Sequence, residues 1–83
     1  MIKETIINFP LFINATLTIY IKAYLEYKPY PNTNDLTEKL SRIARQCDND
    51  TDYMAERMLE LVPELQALQI TDVAGNGYIA YKQ

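Results

Sequence analysis

Histidine and tryptophan are absent from this 83-residue chain, cysteine occurs once, and the only glycines are Gly75 and Gly77. Without histidine, the side chain that most readily exchanges a proton near neutral pH is missing, and so is the commonest metal ligand. Cys47 alone cannot form a thiolate zinc site, a Cys-His nucleophile or an internal disulfide. Carboxylates are plentiful, but each stands in a context that reads as exposed rather than as a buried acid-base pair. No catalytic motif is present, so no enzyme activity and no cofactor or metal are expected.

An uninterrupted apolar span is also lacking. Ile6 to Leu25 is long and mostly apolar, yet Asn8, Pro10, Asn14, Thr16, Thr18 and Lys22 break it, which argues against a transmembrane helix. Met1-Ile2-Lys3-Glu4 has no clearly positive region and no small-x-small cleavage pattern follows, so no signal peptide is expected. Nothing calls for an oxidising compartment, and the expected location is the cytoplasm.

What is present is the balance of a folded domain: 48% hydrophobic and 23% charged residues. A domain of this size buries roughly 60% of the surface its unfolded chain exposes. Residues 1 to 83 are therefore read as one domain, with no repeats, linkers or low-complexity segments. The net charge of −3 is unevenly spread. Residues 1 to 42 hold five basic and four acidic groups, giving +1, whereas residues 43 to 83 hold three and seven, giving −4. That acidic half argues against direct nucleic-acid binding, which rests on Lys and Arg neutralising phosphates.

Along the chain, residues 1 to 9 read as a lead-in with a short strand at Thr5-Ile6-Ile7. Two periods compete from Pro10 to Tyr27. Alternate apolar residues from Leu11 to Leu25 give the strand signature, but the run is long for one strand and contains no Gly, Asn-Gly or Pro to turn it. Ile13, Leu17, Tyr20, Tyr24 and Tyr27 also share one helical face, with Pro10 suited to a first turn, and a helix is the expected reading. Lys28 to Asn34, holding Pro29 and Pro31, is the clearest loop. A second helix should follow, with Asp35 and Glu38 spaced as a capping box and Leu36, Leu40, Ile43 and Cys47 on its apolar face. Asp48-Asn49-Asp50-Thr51-Asp52 reads as the turn and cap of a third helix from Tyr53 to Leu68, whose seam is Met54, Met58, Leu61, Leu65 and Leu68. Pro63 should kink that helix or divide it. A hairpin from Gln69 to Lys82, turning at Gly75-Asn76-Gly77, completes the chain.

Two clusters stand out as candidate sites. Asp52, Glu56, Glu60 and Glu64 recur every fourth residue, and like charges so spaced oppose a helix by roughly 0.2–0.5 kcal/mol per pair. Only Arg57, within reach of Glu60, relieves them. The plain reading is a solvated face; the functional one is a ridge of negative charge offered to a basic protein surface, with a step near the phosphate repeat of a nucleic-acid strand. Tyr20, Tyr24 and Tyr27 form the second cluster, either as cover for the edge of the core or as an interface anchor. Base stacking would need interleaved cations, and only Lys22 and Lys28 qualify. Asp48 to Asp52 also imitates the opening of an EF-hand loop, but Tyr53 and Leu59 occupy the positions that need Gly and Glu.

The order helix, helix, helix, hairpin from Pro10 to Lys82 resembles the winged helix-turn-helix architecture. Asn34 to Cys47, Asp50 to Leu68 and Gly75-Asn76-Gly77 stand where that fold has its positioning helix, recognition helix and wing. The expected class is α+β, mostly helical, with three helices followed by a C-terminal β-hairpin in one winged-helix-like domain. DNA-binding members carry basic side chains on the recognition helix and wing, and here carboxylates replace them. In size, charge and lack of catalytic residues the chain is similar to small acidic phage proteins that block host nucleic-acid-binding machinery, anti-CRISPR proteins among them. The resemblance implies a non-enzymatic interaction module, with a protein of basic surface as partner. Alternatives are a small DNA-binding transcriptional regulator and a structural or oligomerising subunit, a homodimer being possible.

Overall fold

Residues 5–25, 33–48 and 50–82 are described by a computed structural model of the chain, and strands outnumber helices among them. The order is β1 (Thr5–Asn14), β2 (Leu17–Leu25), α1 (Thr33–Arg45), α2 (Thr51–Leu61), β3 (Leu65–Asp72) and β4 (Gly77–Tyr81). All four strands join one antiparallel sheet in the order β1-β2-β3-β4. Both helices are inserted between the two central strands, α1 packing against β1 and α2 against β3 and β4.

The mostly helical, three-helix expectation is therefore corrected to two helices on a four-stranded sheet. Residues 11–25 form a hairpin, not a helix. The turn is made by Asn14, whose Oδ1 accepts hydrogen bonds from the Thr16 N–H and hydroxyl, both at 2.9 Å. A side-chain acceptor of this kind substitutes for the glycine of a tight turn. Asn14 then pairs with Leu17, and a register shift between Phe12 and Asn14 absorbs Ile13. Burial decides between the two periods. Leu11, Ile19, Ile21 and Leu25 are all buried on one side of the hairpin, whereas Leu11, Ile19 and Leu25 would leave the helical face that holds Leu17 and Tyr24. Each such side chain is worth about 1.5–3 kcal/mol when removed from water. Pro10 sits in β1, an edge strand, where a missing N–H is tolerated.

The expected third helix is also shortened. α2 ends at Leu61, the Val62 N–H bonding back to the Met58 carbonyl, and Pro63 follows in the turn. Leu65 and Leu68 of the expected helical seam belong to β3, opposite Leu25 and Ala23 of β2. Met54, Met58, Leu65 and Leu68 are all buried, but Leu61 is 47% exposed. The helix start is as expected in kind: Asp50 is the N-cap, its Oδ1 accepting from the Tyr53 N–H at 3.1 Å. α1 begins at Thr33, before the expected capping box, and Glu38 instead pairs with Arg42 at 2.6 Å. The rest of the expected loop from Lys28, with Tyr27 and Tyr30, lies outside the described residues.

The β3–β4 connection is built on Asp72. Its Oδ1 accepts from the N–H groups of Ala74 (3.0 Å) and Asn76 (2.9 Å), and its Oδ2 from the Asn76 side chain (3.3 Å). Gly75 takes φ +90°, which a side chain would strain. The core lies between the sheet and the two helices, where Leu36, Leu40 and Cys47 of α1 and its end meet Met54 and Met58 of α2. Both helices cover the same side of the sheet, leaving the other side without a layer among the described residues.

Candidate interaction surfaces

Strand alternation sends every second residue away from the helices. The register aligns these outward residues in rows across the sheet. One row is Ile6, Tyr24, Ala67 and Tyr81, the next Asn8, Lys22, Gln69 and Ile79, and a third Pro10, Tyr20, Thr71 and Gly77. Phe12 and Thr18 extend the face at the β1–β2 turn. Tyr81 is 71% and Phe12 67% exposed, and Ile6, Tyr20 and Ile79 are exposed as well. No carboxylate stands in these rows, and Lys22 is their single charge. Ile6, Phe12, Tyr20, Ile79 and Tyr81 give this face its apolar character, with Asn8, Lys22, Gln69 and Thr71 set among them.

Tyr20 and Tyr24 thus share a face as expected, although the element is a strand. A separation of four residues keeps side chains together at both a period of 2 and a period near 3.6. Tyr27, the third member of the expected stripe, lies outside the described residues. Sequence reasoning missed Ile6, Phe12, Ile79 and Tyr81, which join the tyrosines only through cross-strand register. The alternation from Leu11 to Leu25, taken as a strand, is the signal that would have placed Phe12 on the outward side.

The acidic ridge is a second surface, on the opposite layer. Asp52, Glu56 and Glu60 are exposed along α2, and Arg57 reaches Glu60 at 3.3 Å. Glu64 is exposed too but follows the helix end, so the ridge holds three helical carboxylates rather than four. Among the described residues no cation pairs with Asp52 or Glu56. No group of three or more metal-binding side chains converges among those residues either, and Asp50 of the EF-hand-like stretch is engaged in capping.

Where the two surfaces meet, a groove runs between α2 and β4. Glu56, Leu59 and Glu60 line one side and residues Tyr78 to Lys82 the other. At its end the Lys82 ammonium donates to the Pro63 carbonyl at 2.8 Å, which ties β4 to the turn after α2. Cys47 takes no part in any of these surfaces. It is buried, and burial pushes its thiol above the ordinary range; Arg57 opposes the shift, and Asp50 and Asp48 add to it. A buried, protonated thiol is a poor nucleophile.

No protein-family model matches this chain, and neither curated proteins nor solved structures yield a match. Among the described residues no helix is long and apolar enough to cross a membrane.

Proposed function

We propose that the chain is a non-enzymatic protein-interaction module that offers α2 to a basic surface of its partner, as an inhibitor of a nucleic-acid-binding complex carried by a mobile element would. The observation that supports this reading is the row Asp52, Glu56 and Glu60, exposed and with Glu60 alone paired. Repulsion along the row costs the helix stability, and a basic partner would relieve it. Electrostatic complementarity of this kind chiefly sets association rate and partner choice.

The test is parallel capture from host lysate with the wild type and the double variant Glu56→Lys, Glu60→Lys. Proteins held by the wild type should be lost by the variant and should include a nucleic-acid binder whose nucleic-acid affinity falls when the chain is added. An identical retained set for both baits would reject the reading.

A second reading, self-association, is favoured by the sheet face that no described residue covers. Face-to-face packing of two sheets would bury Tyr20, Tyr81 and Phe12 of both copies in an interior about 10 Å thick. Lys22, at the middle of the patch, opposes it.

A further inference from the structure

The two edges of the sheet are not equivalent. β1 carries Pro10 and a register irregularity near Asn14, both of which blunt an edge against pairing. β4 has neither. The hydrogen bonds around β4 also fix which of its backbone groups point away from β3. Lys82 N–H donates to the Gln66 carbonyl and Asp72 N–H to the Asn76 carbonyl, so Asn76 and Lys82 face β3. In an antiparallel ladder this orientation alternates, which turns Tyr78 and Ala80 toward β3 as well and directs the N–H and C=O of Gly77, Ile79 and Tyr81 outward. Of these residues, Ile79 and Tyr81 line the groove whose other wall carries Glu56 and Glu60.

We propose that the free edge of β4, beside α2, accepts an extended segment of a partner protein as a fifth strand, with Lys or Arg at alternate positions and apolar residues between them. The backbone of Gly77, Ile79 and Tyr81 supplies the pairing that any strand could use. Selection comes from the two sides of the added strand. Side chains on the helix side meet Glu56 and Glu60, which favours cations there. Side chains on the other side continue the rows that end in Ile79 and Tyr81, which favours apolar residues. Five to seven residues match the five of β4. The proposal rests on the acidic-helix reading above and adds the backbone as a second component of recognition.

The experiment uses the full chain, isotope-labelled, titrated at low salt with the capped peptide Lys-Val-Lys-Thr-Lys-Val-Lys. Amide resonances of Gly77, Ile79 and Tyr81 should shift and gain protection from exchange, while those of β1 stay in place. Two further peptides carry N-methyl groups on alternate residues, one on the odd and one on the even positions. A strand presents only one set to β4, so one peptide should bind at least tenfold more weakly and the other like the parent. Glu56→Lys with Glu60→Lys should also weaken the parent peptide at least tenfold, and Ile79→Pro, which deletes an outward N–H, should do the same. If that proline variant does not fold, the methylated pair decides on the wild type. Binding that responds to charge reversal but to neither methylated peptide overturns strand addition and leaves the acidic-helix reading standing. Binding indifferent to charge reversal overturns both, and absence of peptide binding overturns strand addition.

Discussion

At the scale of single residues, short polar side chains close the turns and cap the helix, work that glycine would do elsewhere. Asn14 closes the first hairpin, Asp50 caps α2, and Asp72 gathers the loop before β4. Asp72 makes the most contacts of the three, accepting from two backbone N–H groups and one side-chain amide. Replacing it with Ala leaves those donors to water and should lower unfolding free energy by about 1–2 kcal/mol. Asp72→Asn keeps one oxygen acceptor and should lose less. Urea denaturation followed by circular dichroism checks both, and equal midpoints for Asp72→Ala and wild type would contradict the role. Asp50 was legible as a cap because it precedes an apolar-periodic run. Asn14 was not, since its effect depends on the chain already folding back at Thr16.

At the scale of elements, α2 sets stability against surface charge. Asp52, Glu56 and Glu60 repel along one face, and a lysine at the middle position turns two like-charge pairs into two opposite-charge pairs. Glu56→Lys should therefore stabilise the fold by about 0.8–2 kcal/mol at low salt, falling as salt rises. A thermal melt at two ionic strengths reads this directly; destabilisation at low salt would show that Glu56 holds a structural role. The same element shows where periodicity misleads. The 4-3-4-3 seam from Met54 to Leu68 continues past the end of α2, because Leu65 and Leu68 are buried as strand residues opposite Leu25 and Ala23. Pro63 marked the break correctly, and what followed it was a strand rather than a further helical segment.

For the whole molecule, the arrangement of layers separates two surfaces of different character. The helix side carries the carboxylates of α2, and the far side of the sheet is aromatic and aliphatic with one lysine. If the open face joins two copies, light scattering should give twice the 9.6 kDa chain mass at tens of micromolar, and Tyr81→Asp should restore the monomer. A wild type that stays monomeric through that range rejects self-association and leaves the face for another protein. The net charge of −3 and the single lysine on the face argue against a nucleic-acid strand as its occupant.

The sequence by itself determined what depends on near neighbours: that helices begin near Asp35 and after Asp50, the cap of α2, the turn at Gly75 and the four-residue spacing of Asp52, Glu56 and Glu60, but not the end of α2 at Leu61. Each follows from residues within a turn or two of one another, where capping, propensity and spacing act. The tertiary structure decided the rest. Residues 11–25 satisfy both periods, and only pairing with β3, far along the chain, makes the strand the state that buries Ile19, Ile21 and Leu25 together. The rows that bring Tyr20 and Tyr24 to Tyr81 and Ile79, and the free backbone of β4 beside Glu56, depend on strand order and register. Those are set by contacts between distant segments, which no local pattern encodes.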